Sequence, residues 1–60
     1  TPSEFIRLVR LRHAERLLVQ SQLSIAEISY KVGFSSTRYF SRCFKDLYGY
    51  LPSKYKKNAE

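Results

Sequence analysis

Apolar residues recur every three or four positions from Phe5 to Leu18, again from Ile25 to Val32, and again from Phe40 to Leu47. That spacing is the period of an α-helix, and no stretch keeps up the every-second-residue alternation of a strand. Start and stop signals bracket the segments. "TPSE" opens the first: Thr1 can cap, Pro2 suits the first helical position and Glu4 completes a capping box, so a helix is predicted from there to about Val19 or Gln20. "SIAE" repeats the box with Ser24 and Glu27, predicting a short helix from about Ser24 to Lys31 that stops at Gly33 in a left-handed turn. Ser35 or Ser36 caps a third helix reaching about Tyr48, with Gly49 as its stop, and Pro52 opens a last short helix to about Lys57.

The first helix carries two apolar faces. Ile6, Leu11, Ala14, Leu17 and Leu18 form one; Phe5, Leu8, Val9 and Val19 lie roughly opposite. A surface helix needs only one such stripe, so this one is expected to sit between two bodies, of which the chain supplies one. The segments "TPSEFIR" and "LPSKYKK" share the frame x-Pro-Ser-charged-aromatic-x-basic. Because the second copy follows a helix-turn-helix pattern, a similar unit is expected to precede the first.

In the second helix Ile25, Ile28 and Val32 form one apolar face. Ser29, four residues before Gly33, is small enough to let the next helix approach. Phe34 plugs the angle. Along the third helix Phe40, Cys43, Phe44 and Leu47 make the stripe expected to be buried, and Arg38, Arg42 and Lys45 fall on the other side with Thr37 and Ser41 beside them. Tyr39 lies off the stripe, where it could flank DNA or pack on the second helix, and packing is the favoured expectation. A helix fits the DNA major groove, where arginine can bind guanine O6 and N7 through two hydrogen bonds and Ser or Thr can meet bases or phosphates. Lysine suits a phosphate.

Composition narrows the field. The chain has 60 residues, a net charge of +6, one cysteine and one histidine. So small a chain buries only about 60% of the surface it exposes unfolded, and with Cys43 alone it can form no internal disulfide. Cys43 is expected to act as a small apolar residue, and His13 as a surface residue. No metal site, cofactor or catalytic set is expected, and an enzyme is disfavoured. The excess of cations points to a polyanion, with double-stranded DNA first. The alternatives are a helical protein-interaction module binding an acidic partner, and an amphipathic element on an anionic membrane surface. The last is weakest, because the stripes suit a compact core. No run is long and apolar enough to span a membrane, no signal peptide is expected, and Thr1 does not read as a natural start. On the first helix Arg7, Arg10, Arg12 and Arg16 are expected to pair in part with acids such as Glu15 or Glu27, with some meeting phosphate and none reading bases. Tyr55 and Lys54, Lys56 and Lys57 form a basic tail.

The stretch "SIAEISYKVGFSSTRYFSRCFKDLYGYLPSKY" resembles the second helix-turn-helix of AraC/XylS-type bacterial transcription regulators, and "PSEFIRLVRLRHAERLL" resembles the linker helix that joins their two units. The resemblance implies an all-α, homeodomain-like helix-turn-helix with a long N-terminal linker helix (residues 1–20) and a second unit with a short C-terminal helix (residues 21–60). It implies sequence-specific binding of double-stranded DNA within a bacterial transcription regulator, activator among the expected descriptions, with the recognition helix of residues 36–48 in the major groove. Base contacts are expected from Thr37, Arg38, Ser41 and Arg42. Phosphate contacts are expected from Ser24, Lys31, Ser36 and Lys45. The parent would carry a first helix-turn-helix and a sensory or receiver region, act in the bacterial cytoplasm on the nucleoid, and admit RNA polymerase as a partner; no membrane is implied. Ser29 replaces the family's usual alanine, and Leu51 replaces its usual Thr or Ser cap, so the last helix is expected to fray.

Overall fold

The computed structural model describes residues 1–59, with side chains described as far as Lys56. Four helices follow in order: α1 (Pro2–Gln20), α2 (Ile25–Lys31), α3 (Thr37–Tyr48) and α4 (Pro52–Ala59), and no strand occurs among the described residues. The fold is all-α, as the pattern predicts. Both capping boxes form. The Thr1 hydroxyl accepts from the Glu4 amide at 3.3 Å, and the Ser24 hydroxyl accepts from the Glu27 amide at 3.1 Å, while each glutamate reaches back to the amine or amide of its cap. Each box satisfies one amide of the helix's first turn through the cap hydroxyl and the cap's own N–H through the glutamate. Ser36, not Ser35, caps α3, accepting from the Tyr39 amide at 3.2 Å. α4 runs to Ala59, beyond the predicted Lys57. Glu60, and the Lys57 side chain counted in the basic tail, lie outside the described residues.

The core is one cluster: Leu11, Ala14 and Leu18 of α1, Ile28 and Val32 of α2, Phe34 of the turn, and Phe40, Cys43 and Phe44 of α3. Phe44 sits at its centre, with the rings of Phe40, Tyr48, Tyr50 and Tyr55 at 5.9, 4.5, 6.3 and 6.0 Å. Tilted and edge contacts of this kind favour the ring quadrupoles beyond plain burial. Pro52, at the start of α4, is fully buried, and the Leu51 carbonyl accepts from the amides of Lys54 and Tyr55. Across the molecule the Lys56 ammonium donates to the Leu23 carbonyl in the α1–α2 connection. That contact commits one lysine of the basic tail and ties α4 down.

Three expectations are corrected. Leu47, placed by the wheel on the buried stripe, is 44% exposed. It lines an open groove of 420 Å³ between the N-terminal half of α1 and α3. Ile6, grouped with the packed face of α1, is 48% exposed for a related reason: it lies before the first core residue, Leu11, and has no partner there. Tyr39 packs not on α2 but on Phe34 of the turn, 5.9 Å between ring centroids, and on α1 through Arg7. The second apolar face of α1 is exposed as expected, with Phe5 at 67%.

Gly33 follows α2 with φ +112°. That lies beyond the left-handed region that other residues visit, so only glycine turns the chain there without strain. A Cβ at Gly33 would stand 2.8 Å from Nε of Arg10, whose side chain lies across the turn. The arginine can swing aside, so the backbone term dominates. Gly33→Ala is expected to cost about 1–3 kcal/mol. Urea unfolding followed by circular dichroism would register this as a lower midpoint with an unchanged slope; an unchanged midpoint would contradict the reading of the turn.

Candidate nucleic-acid interface

Burial of Phe40, Cys43 and Phe44 fixes the rotation of α3, and with it the side that faces solvent. Arg38, Arg42 and Lys45 are all exposed on that side. Among the described residues none of them forms an ion pair with a carboxylate, so their donors are not spoken for. A cationic row on a helix held by an aromatic core is what the third segment's pattern predicts.

The two hydroxyl residues beside this row are half-buried. The Thr37 hydroxyl lies 3.0 Å from that of Ser29, and the Ser29 hydroxyl also reaches the Ala26 carbonyl at 2.7 Å. A carbonyl can only accept, so the single Ser29 proton goes to Ala26, and Thr37 donates to Ser29. Thr37 therefore keeps acceptor lone pairs and a methyl group for anything outside, and no proton. Ser29 is wholly buried yet satisfied, which explains how a serine is accommodated in the helix-turn-helix angle.

The remaining predicted positions surround α3. Lys31 and Lys45 are exposed. Ser24 is committed to its capping box: its amide donates to the Glu27 carboxylate at 3.0 Å and its hydroxyl accepts from Glu27. Those hydrogen bonds hold the Glu27 carboxyl below the usual carboxylate range, the backbone bond from Ser24 contributing most. The anion thus held at the start of α2 leaves only the Ile25 and Ala26 amides of the first turn for a phosphate. The start of α3 differs, since its first turn holds no acid and Ser36 takes only the Tyr39 amide.

Sequence reading missed one constellation. The Arg7 guanidinium donates to the Tyr39 hydroxyl at 3.2 Å, a bond between residues 32 apart. This hydrogen bond is the main reason that the Arg7 guanidinium titrates above its ordinary value. Arg10 covers Gly33. The expected pairing of α1 arginines with Glu15 or Glu27 does not occur: among the described residues Thr1 and Glu4 make the one ion pair, and Glu27 serves its cap. Only the repeated i, i+3 placement of Arg7 and Arg10 could have hinted at a joint role. His13 is exposed and Cys43 buried, both as expected. Among the described residues no group of His, Cys, Asp and Glu could hold a metal, and no helix is long and apolar enough to cross a membrane.

Comparison with known proteins places this geometry. A family model described as a helix-turn-helix domain matches residues 1–58. A histidine kinase of Formosa agariphila is 47% identical over 55 residues, covering 92% of this chain and 4% of that protein. The HTH-type transcriptional regulator GlxA of Rhizobium meliloti is 51% identical over 53 residues, covering 88% of the chain and 16% of the regulator. The Msm operon regulatory protein of Streptococcus mutans is 46% identical over 57 residues, covering 95% and 20%. The chain thus spans a fifth or less of each of these relatives. No solved structure matches it significantly. With a helix-turn-helix model matching nearly from end to end, and a packed helix pair presenting a cationic third helix, the chain belongs to the AraC-type helix-turn-helix family of DNA-binding transcription regulators.

Proposed function

We propose that this chain reads double-stranded DNA for a bacterial transcription regulator, inserting the exposed side of α3 into one major-groove segment. One observation carries the reading: Phe40 and Phe44 are fully buried while Arg38, Arg42 and Lys45 stand exposed on the opposite side of the same helix, in no ion pair among the described residues. Arg38, Ser41 and Arg42 are the base-reading positions. Thr37 joins them as an acceptor only, suited to an adenine or cytosine amino group. Lys31, Lys45 and the α3 start at Ser36 hold phosphates, with Ser24 contributing the first turn of α2.

In this reading α1 (residues 1–20) is a linker helix and residues 21–60 are the second of two helix-turn-helix units. The exposed Phe5, Leu8 and Val9 then meet a preceding unit, which the family resemblance and the two-faced helix both favour. A sensory or receiver region, RNA polymerase as a partner and action in the bacterial cytoplasm complete the picture of the parent regulator.

The test is a fluorescence-anisotropy titration of the chain against labelled duplexes from 50 to 200 mM salt. Neutralising three to four phosphates gives a log–log slope of about −2.7 to −3.6, hence a fall of about 40- to 150-fold in affinity across that range. A shallow dependence, with no preference among DNA sequences and binding to an acidic protein instead, would replace this reading with that of a protein-interaction module.

A further inference from the structure

A second cleft opens beside the groove of Leu47, and it differs in chemistry. Its 340 Å³ are lined by Ser3, Arg7, Arg10, Gly33, Phe34, Ser35 and Tyr39. Arg7 and Tyr39 line both, but the Leu47 groove sets Arg7 and Arg42 beside two carboxylates, Glu4 and Asp46, whereas this cleft sets Arg7 and Arg10 beside three hydroxyls and no acid. Both arginines are positioned. Arg7 is fastened through the Tyr39 hydroxyl, and Arg10 lies across Gly33, where the lack of a Cβ lets it approach the turn. From this we infer that the cleft between the N-terminal half of α1 and the α2–α3 turn, walled by Arg7, Arg10, Ser35 and Tyr39, seats a phosphodiester of the DNA backbone.

The placement suits that ligand. At about 100° per residue, Thr37 and Tyr39 lie about 200° apart around α3, so they face opposite flanks. Thr37 leans on α2 through Ser29, and Tyr39 leans on α1 through Arg7. With the arginine row of α3 directed at the groove floor, each flank faces a groove wall, where the phosphates lie. α2 attends one wall, and the cleft attends the other. Arg7 offers a planar fork of donors whose orientation is already set, and a guanidinium so held loses little freedom on binding an anion. Tyr39, which accepts from Arg7, keeps its hydroxyl proton for a phosphate oxygen. Gly33 is thus a positioning residue as well as a stop, since a side chain there would displace Arg10.

This inference rests on the DNA-binding reading, and the experiment separates the two. Salt dependence of duplex binding is measured for the unaltered chain, for Arg7→Gln/Arg10→Gln, and for Arg12→Gln/Arg16→Gln. The last pair removes the same charge from the opposite face of α1. Loss of two phosphate contacts should make the slope shallower by about 1.8 in the first variant and leave it within a few tenths in the second. Arg7→Lys/Arg10→Lys should restore most of the slope, and circular dichroism should give the same helix content for all four. A flat salt response of the unaltered chain would sink the DNA reading itself. A steep response changed equally by both glutamine pairs, or by neither, would overturn the cleft while leaving that reading in place. In a parallel arm inorganic phosphate is titrated at constant ionic strength while the Arg7 and Arg10 side-chain NMR signals are followed. Saturation by millimolar phosphate, combined with an unchanged DNA slope, would make the cleft a site for free phosphate and overturn the backbone assignment.

Discussion

Phe44→Ala is expected to leave the chain without a cooperative unfolding transition at 25 °C. Native stability of roughly 0.05–0.15 kcal/mol per residue gives about 3–9 kcal/mol for a chain of 60 residues. Removing a buried phenylalanine ring typically costs about 3–5 kcal/mol, through lost transfer energy and the cavity left behind. Here the upper part of that range is expected. Phe44 is fully buried, and four aromatic rings from α3, the α3–α4 connection and α4 converge on it. Loss of the ring therefore unseats α4 as well as α3. There is no disulfide or metal cluster among the described residues to compensate. Urea titration by circular dichroism would show a sloping baseline in place of a sigmoid. Phe44→Leu, which keeps most of the volume, should retain a transition at a lower midpoint. A sigmoid for the alanine variant within about 1 kcal/mol of the unaltered chain would mean that the aromatic cluster is not what holds the fold.

Arg38→Ala/Arg42→Ala is expected to abolish sequence discrimination and leave the fold unchanged. Each arginine that binds a guanine through two hydrogen bonds is worth about 1–3 kcal/mol of discrimination, so the pair contributes about 2–6 kcal/mol. That is a loss of roughly 30-fold to more than 10⁴-fold at the preferred sequence, limited by how much better that sequence binds than random duplex. Both side chains are exposed and neither is in an ion pair among the described residues, so their removal leaves no buried partner unsatisfied. The measurement is competition between a duplex selected from a random-sequence pool and an unselected duplex. The double variant should bind the two alike, with a helical spectrum and urea midpoint matching the unaltered chain. Retained preference for the selected duplex would remove both residues from base reading.

Much of the fold was legible because its signals are local. The helix starts are written in Thr1 with Glu4, Ser24 with Glu27, and Ser36; the stops lie in Gly33 and Gly49, whose positive φ values are 112° and 87°. Each of these depends on residues within one turn. The burial of Phe40, Cys43 and Phe44 followed from periodicity alone, and so did the outward row of Arg38, Arg42 and Lys45. The wheel failed at Leu47 because it gives direction around one helix and says nothing of where the neighbouring helix ends its contact. There an open groove separates Leu47 from α1, and Tyr48 takes the inward place on Phe44.

The illegible contacts are those between residues far apart in the chain. Arg7 with Tyr39, Arg10 over Gly33 and Lys56 on the Leu23 carbonyl each join segments more than 20 positions apart. None leaves a periodic trace. Long basic side chains suit solvent, DNA or a carbonyl equally well, and only packing selects among them. The mistaken expectation for Glu27 has a different origin. Its spacing from Ser24 already assigned it to the cap, and a carboxylate held in a capping box is not available to an arginine on another helix.

The most direct test of the account is an NMR titration of the isotope-labelled chain with the selected duplex, following backbone amides and arginine side-chain signals together. The largest shifts are expected at Arg38 and Arg42 and along the exposed side of α3, with the buried Leu18 and Ile28 nearly unmoved. Shifts centred instead on the exposed α1 face of Phe5 and Val9, with the two α3 arginines unaffected, would contradict it.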